Sequence, residues 1–215
     1  MNLPTPDTQK YNSAKPFPHL VIDKALPKWY LKHVVASWPE LPLYPDNSGQ
    51  KLKAGTTDES VMGVYISSFI KTYFHSQQFI FFLEELTGIK GLVLDCREIG
   101  LHETFPGGTL LPHIDYTINQ VTGLQHRVNA IVYLNDENIG GELELGLKNP
   151  VKIEPVFNRM VIFNVKDAWH GHPNPVTTGS RKSIALNYFT TPEKDAKHIH
   201  TTFRKKTLLN RLIHL

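Results

Sequence analysis

The sequence is poor in cysteine and has no long hydrophobic run. Its single cysteine, Cys96, excludes an intramolecular disulfide, a CxxC redox pair and a cysteine-rich zinc cluster. No apolar segment approaches the ~18 residues that a membrane span requires, so no membrane partner is expected. Residues 1–6 lack the basic start and apolar run of a signal peptide, and a cytoplasmic, reducing location is therefore expected.

Charge of one sign is not in large excess either. The formal net charge of +3 at pH 7 is too small to indicate a nucleic-acid partner. The 215 residues, with 40% hydrophobic and 20% charged side chains, are typical of one globular domain. The basic segment 198–215 predicts a helix docked on the body, and a nucleic-acid tail is the alternative.

The first part of the chain has the pattern of helices. Apolar residues recur at helical spacing over 27–38 and again over 64–86, where two helices are predicted to end at a Gly88 cap. A short strand is predicted over 16–23. Residues 39–60 are rich in Pro, Gly, Asp and Asn, and predict a long loop.

After Gly91 the pattern changes to short alternating runs separated by turn residues such as 106–108. The predicted strands are 92–94, 98–101, 109–116, 127–134, 142–145, 151–153, 160–163 and 183–189. Such strands indicate an antiparallel jelly roll, packed with the helices as an α+β fold. One domain is expected over 1–215, with mostly helical support in 1–90, a jelly-roll catalytic core in 91–192 and a basic extension in 193–215.

His113 and Asp115 carry the first sign of chemistry. Residues two apart on a strand share a face, so this imidazole and this carboxylate can bind one metal ion together. A second imidazole can come from His170, with His172 as its rival. Two histidines and one carboxylate form the facial triad of non-haem Fe(II) oxygenases, which leaves coordination positions open for substrates.

A fixed cation follows the second histidine. Arg181 lies eleven residues after His170, and Ser183 shares its face on the predicted strand. A guanidinium binds a carboxylate through two hydrogen bonds, and the Ser183 hydroxyl adds another donor, which suits a metal-bound dicarboxylate such as 2-oxoglutarate. On the strand 127–134, Asn129 and Tyr133 lie on the polar face, which borders either a cavity or solvent.

Together these segments closely resemble the prolyl-hydroxylase-like branch of the 2-oxoglutarate and Fe(II)-dependent dioxygenases. The resemblance rests on residues 107–115, 127–135, 140–145, 169–173 and 181–183, and extends upstream through 83–89 and 16–19. It implies a double-stranded β-helix (jelly-roll) core with N-terminal helices packed on one sheet.

The resemblance also implies roles for individual residues. By position, the iron ligands would be His113, Asp115 and His170, and the residues that bind 2-oxoglutarate would be Arg181, Ser183, Tyr133 and Asn129. His170 is preferred to His172 because the family pattern places the ligand directly before a glycine and about eleven residues before the arginine.

The implied activity is hydroxylation of an unactivated C–H bond, with Fe(II) as cofactor, 2-oxoglutarate and O2 as co-substrates, and succinate and CO2 as products. Asp115 favours hydroxylation over halogenation, because halogenases of this type replace that carboxylate by a small residue. Desaturation and cyclisation stay open. The expected substrate is a small molecule or a peptide: an amino acid, a peptidyl proline or a sugar. A non-catalytic jelly-roll ligand-binding module is the alternative function.

Overall fold

The structure is a computed structural model that describes residues 3–47, 49–134 and 139–204. In this part of the chain, helices pack on a curled antiparallel sheet. The helices are α1 (Thr8–Ser13), α2 (Lys28–Ala36), α3 (Glu59–Tyr73) and α4 (Gln77–Thr87). The strands are β1 (His19–Ile22), β2 (Gln50–Thr56), β3 (Val93–Ile114), β4 (Gln125–Tyr133), β5 (Ile139–Gly140), β6 (Leu143–Leu145), β7 (Val151–Ile153), β8 (Met160–Asn164), β9 (His170–His172), β10 (Val176–Thr178), β11 (Arg181–Thr190) and β12 (Thr202–Phe203).

The helix α4 shows how local sequence sets an element's ends. The Ser76 hydroxyl accepts a hydrogen bond from the Phe79 N–H at the start of the helix. Gly88 adopts a left-handed conformation, with φ 74°, and donates its N–H to the Glu84 carbonyl. The predicted C-cap at Gly88 is therefore confirmed. Phe79 and Leu83 on the same helix are fully buried against the sheet.

The strand order places β3 at the junction of two halves of the sheet. The order is β1, β8, β4, β11, β3, β9, β6, β7, and both β2 and β12 also pair with β3. Residues 93–104 of β3 pair with β11, whereas residues 110–113 pair with β9. One strand thus belongs to both halves of the jelly roll, which matches the predicted fold class.

The predicted turn at 106–108 is wrong, because β3 continues through it. β2 pairs with β3 both before and after this segment: Lys53 lies opposite Thr104, and Lys51 lies opposite Thr109. Residues 105–108 of β3 therefore face the single residue Leu52 of β2, and Gly107 takes φ 83°. This bulge bends the strand from one half of the sheet toward the other.

Two hydrophobic clusters lie on opposite faces of β4. Val128, Ala130 and Val132 pack in the large cluster shared with the helices. Tyr133 belongs to a smaller cluster inside the jelly roll, and Ile131 packs against it. The polar face of this strand, left open between cavity and solvent by the sequence, therefore faces the interior of the jelly roll.

Two other expectations are corrected. Residues 39–60 are not one loop, because β2 forms within them by pairing with β3, and α3 begins at Glu59. The helix predicted over 198–215 is wrong at residues 202–203, which form β12 on the edge of β3. Residues 205–215 lie outside the described part of the chain. Among the described residues, no helix has the length and apolarity needed to cross a membrane.

Candidate active site

The end of β3 and the start of β9 bring together the predicted metal ligands. His113 pairs directly with His170 across the two strands, and Asp115 follows β3 by one residue. His113 Nε2 lies 3.4 Å from Asp115 Oδ1, and His170 Nε2 lies 3.6 Å from Asp115 Oδ2. One donor atom from each residue falls within 4.8 Å of the others. Adjacent ligands of an octahedral ion at ~2.1 Å are separated by about 3 Å, so the geometry is close to that of a bound divalent ion.

Backbone carbonyls fix the orientation of both imidazoles. His113 Nδ1 lies 3.0 Å from the Leu111 carbonyl, and His170 Nδ1 lies 2.9 Å from the Ala168 carbonyl. Since a carbonyl can only accept, Nδ1 carries the hydrogen and donates it in each ring. Each neutral ring then directs the lone pair of Nε2 toward the carboxylate of Asp115. The two nitrogen lone pairs and the carboxylate repel one another unless a cation lies between them, so this group of side chains fits a metal ion.

The protonation states suit metal binding at neutral pH. Burial is the main reason that the pKa of His170 is lowered to about 4, so this ring is neutral at pH 7. Burial raises the pKa of Asp115, but the rings of His170 and His113 outweigh it and keep the pKa well below its usual value. A metal ion therefore meets one carboxylate charge and displaces no proton from either group.

A chain of hydrogen bonds orients Asp115. Asn129 Nδ2 donates to Asp115 Oδ2 over 2.8 Å, and Asn129 Oδ1 accepts from His126 Nε2 over 2.9 Å. His126 is buried and stacks on Phe189, with 4.9 Å between ring centroids. The sequence predicted Asn129 beside the co-substrate, and the structure adds that its amide holds the carboxylate of Asp115.

Arg181 lies at the far end of the same cavity and is 4% exposed. Its Nε donates to the Gly141 carbonyl at 2.9 Å, and its Nη2 donates to Tyr133 Oη at 3.1 Å. A Cβ on Gly141 would lie 3.1 Å from Arg181 Cδ, so glycine permits this close approach. The guanidinium is therefore held in one orientation, with its remaining N–H groups available to a ligand.

The cavity connects the two ends. Ser183 lies two residues from Arg181 on β11, is buried, and lines the cavity. Apolar side chains also line the cavity, among them Leu110, Ile131 and Leu143. A dicarboxylate needs polar contacts at both ends and apolar contacts along its methylene groups, and this cavity offers both.

His172, the rival ligand, does not join the metal group. It lies opposite Leu110 rather than His113 and is absent from the cluster of His113, Asp115 and His170. It is 2% exposed, and neither ring nitrogen has a hydrogen-bond partner among the described residues. Burial lowers its pKa well below the usual value, so its ring is neutral. It lines the cavity beside the candidate metal centre.

Sequence reasoning missed several cavity residues. Lys53 and Gln50 come from β2, which the sequence predicted as loop, and His102 directly follows the predicted strand 98–101 and was not singled out. Phe203 of β12 covers His113, with 5.2 Å between ring centroids. The polar composition of β2 gave no strand signal, so Lys53 could be found only from the tertiary pairing.

Comparison with known proteins agrees with this geometry. Residues 99–189 match the family model of the 2OG-Fe(II) oxygenase superfamily. No curated protein is similar enough in sequence to be matched.

Several solved structures share the fold at low sequence identity. A Pseudomonas putida prolyl-4-hydroxylase has a TM-score of 0.63 and 15% identity, over 86% of this chain and 98% of that chain. HygX from Streptomyces hygroscopicus, with nickel, 2-oxoglutarate and hygromycin B bound, has a TM-score of 0.60 and 12% identity, over 83% and 85% of the two chains. A Trichoplax adhaerens prolyl hydroxylase, in complex with a hypoxia-inducible-factor peptide, has a TM-score of 0.56 and 19% identity, over 85% and 86%.

The matched segment contains every residue of the candidate metal group and Arg181. The donor set fits a divalent metal ion, and the solved neighbours include proteins with a metal and 2-oxoglutarate bound. Over residues 99–189, the segment that contains the candidate site, this chain is therefore similar to the 2OG-Fe(II) oxygenase superfamily.

Proposed function

We propose that His113, Asp115 and His170 bind Fe(II), and that the enzyme hydroxylates an unactivated C–H bond of a small-molecule or peptide substrate, with release of succinate and CO2. The observation that carries the proposal is the convergence of two Nε2 lone pairs and one buried carboxylate at 3.4 and 3.6 Å. Three ligands on one face of the ion leave positions for co-substrate and O2. When bound, Fe(II) with 2-oxoglutarate and O2 supplies the oxidising power that no side chain provides.

The residues at the far end hold the co-substrate. Arg181 directs its free N–H groups into the cavity, Tyr133 fixes the guanidinium, and Ser183 adds a hydroxyl donor. A guanidinium fork matches one carboxylate, so Arg181 would bind the distal carboxylate of 2-oxoglutarate. Asn129 would act on the ligand Asp115, since it donates to Oδ2 of that residue.

We propose a small-molecule or a peptide substrate, and the cavity and the solved neighbours support both kinds. Two of the solved neighbours hold hygromycin B and a peptide, which supports a small-molecule or a peptide substrate. An amino acid fits the same opening, which is bordered by Gln50, Thr201 and Phe203. We propose further that residues 1–215 form a single catalytic domain. A cytoplasmic location, which suits a ferrous ion, completes the proposal.

The proposal is tested by anaerobic titration of the metal-free protein with Fe(II) and 2-oxoglutarate, by following the visible charge-transfer band of the chelate. We expect a band in the wild type, its loss in His113→Ala, and at least a tenfold weaker co-substrate affinity in Arg181→Ala. Lys51→Met, a change at an exposed residue of β2, is the control. A folded wild type without a band at saturating ligand would instead favour a non-catalytic jelly-roll module.

A further inference from the structure

A second cation, Lys53, enters the cavity close to Arg181. Lys53 lies directly opposite Thr104 on β3, and Thr104 lies directly opposite Arg181 on β11. Residues directly opposite one another in a sheet project from the same face. Lys53 and Arg181 therefore reach into the same cavity from the two strands that flank β3, and both line it.

Lys53 has no anionic partner in the described part of the chain. Lys53 is only 9% exposed, and it takes part in none of the ion pairs formed by the described carboxylates. Its nearest aromatic contact is weak, since Nζ lies 5.9 Å from the centroid of Tyr44. Burial, followed by the charge of Arg181, lowers its pKa to about 8 against the smaller opposing effect of the Asp115 charge, so Lys53 is still mostly protonated at pH 7. A buried ammonium without a counterion is costly, which indicates that a ligand supplies the anion.

Counting formal charges leaves Lys53 uncompensated even when the co-substrate is bound. If the proposed function holds, Fe(II) contributes two positive charges and 2-oxoglutarate two negative charges, while Asp115 and Arg181 cancel each other. The sum is zero before Lys53 is counted. Lys53 therefore leaves one positive charge uncompensated, wherever the distal carboxylate of 2-oxoglutarate lies.

Neutral donors surround this position. His102 pairs with Ser183 on one side and with Gly55 of β2 on the other, and its buried Nδ1 has no hydrogen-bond partner among the described residues. Thr104 Oγ1 and both ring nitrogens of His172 also have no hydrogen-bond partner among the described residues. Several polar groups with open hydrogen-bonding capacity thus lie around a buried cation, which is the composition of a site for an oxyanion.

The position of β2 makes this site accessible to a substrate. The cavity wall formed by β2 carries Lys53 in its interior and the half-buried Gln50 nearer the opening, opposite Leu110. Lys53 on β2 and Arg181 on β11 lie on opposite sides of β3, and Gln50 lies on the same strand as Lys53.

We propose that Lys53, assisted by His102, binds a carboxylate or phosphate group of the substrate that is oxidised, so that this enzyme acts on an anionic substrate. This inference rests on the proposed function, and it gives the cavity two anion-binding positions with separate purposes: Arg181 binds the co-substrate, and Lys53 selects the substrate.

The first test measures Lys53 itself. Protein labelled with 13Cε-lysine is loaded with Zn(II) and 2-oxoglutarate, and the Lys53 signal is assigned by its loss in Lys53→Arg. Addition of inorganic phosphate, and separately of acetate, is expected to raise the pKa of Lys53 by at least one unit in this loaded protein. If neither anion moves the signal, the proposal is overturned.

The second test asks whether the anion bound by Lys53 comes from the substrate or from 2-oxoglutarate. Lys53→Met is expected to keep the affinity for 2-oxoglutarate within threefold of the wild type, as measured by the charge-transfer band. Lys51→Met, on the exposed side of the same strand, is the matched control. A loss of more than tenfold in Lys53→Met alone would overturn the proposal, because it would assign Lys53 to the co-substrate's carboxylate.

These outcomes are distinct from failure of the proposed function. A wild type without a charge-transfer band contradicts the oxygenase site as a whole. A normal band, combined with a Lys53 signal that does not respond to phosphate or acetate, contradicts only the anionic substrate.

Discussion

Asn129 shows how one residue can act on the candidate metal site through a neighbouring side chain. Its amide donates to Asp115 Oδ2 and accepts from His126, so it fixes the rotation of the carboxylate between the two histidines. Outer residues of this kind tune both the position and the basicity of a ligand. The sequence placed Asn129 on the correct face of β4, but only the fold shows which atom it contacts.

We expect Asn129→Ala to weaken binding of a divalent metal ion by about 10- to 100-fold, because the carboxylate of Asp115 loses a hydrogen bond and turns freely. Competition with a chromophoric chelator under anaerobic conditions measures this affinity. Asn187→Ala is the control, since Asn187 lies opposite Asn129 on β11 and lines the same cavity. Equal affinities in the two variants would contradict the role given to Asn129.

Lys53, in contrast, destabilises the ligand-free protein, because its charged side chain is buried. We expect Lys53→Met to raise the free energy of unfolding at pH 7 by about 1–3 kcal/mol, since the wild type buries a charged group whose pKa is lowered to about 8. Urea denaturation of the ligand-free protein measures the difference, and Lys51→Met should show none.

The increase in the free energy of unfolding caused by Lys53→Met should depend on pH in a defined direction. Native Lys53 loses its proton near pH 8, whereas the unfolded chain keeps it up to a pKa of about 10.5. Between these values the unfolded wild type binds more protons, so its stability rises with pH and the advantage of Lys53→Met shrinks. A gain that stayed constant from pH 7 to pH 10 would contradict the buried charge as its cause.

At the scale of elements, β12 and the start of β2 act as a cover over the metal group. β12 pairs with β3 at His113 and Ile114, and the Phe203 ring packs on the ring of His113. A Cβ on Gly49 would lie 2.6 Å from the Phe203 ring, so glycine lets the chain before β2 pack against that ring. Segments distant in sequence therefore shield His113 from solvent.

We expect Phe203→Ala to speed the release of Fe(II) to a chelator several-fold, because the change exposes the His113 side of the site to water. Stopped-flow measurement of the anaerobic protein records this rate. Ile199→Ala, a change at a 46% exposed residue on the same segment, should release iron at the wild-type rate. Identical rates in Phe203→Ala and the wild type would show that β12 does not shield the site.

At the scale of the whole molecule, the site depends on strands from both halves of the sheet. His113 and His170 belong to the pair β3 and β9, whereas Arg181 and Ser183 belong to β11. Ligands that bridge these elements bind only the folded chain, and they should therefore stabilise the molecule by mass action.

We expect Zn(II) and then 2-oxoglutarate, each at 100 times its Kd, to raise the free energy of unfolding by about 2.7 kcal/mol per ligand, or Tm by roughly 5–10 °C. Thermal unfolding followed by circular dichroism measures both steps. Arg181→Met should keep the increase from the metal and lose the increase from 2-oxoglutarate at the same concentration. A full second increase in that variant would contradict the role of Arg181.

The sequence by itself determined the helices α2 to α4 in outline, the Gly88 cap and the jelly-roll class. Among the residues that line the cavity, it singled out His113, Asp115, Asn129, His170, Arg181 and Ser183. These features depend on short-range patterns: helical spacing, alternation along strands and motifs whose residues lie two positions apart. The sequence alone was enough to group His113, Asp115 and His170 as one site, because the order of their motifs is typical of one family.

Only the tertiary structure decided the rest. The strand β2 forms because β3 offers it hydrogen-bonding partners, and its polar sequence carries no periodic signal of its own. Residues 105–108 form a bulge instead of a turn because β2 continues to pair on both sides. Whether a lysine such as Lys53 is solvated or buried beside another cation depends on which strands meet, and that is a long-range property of the fold.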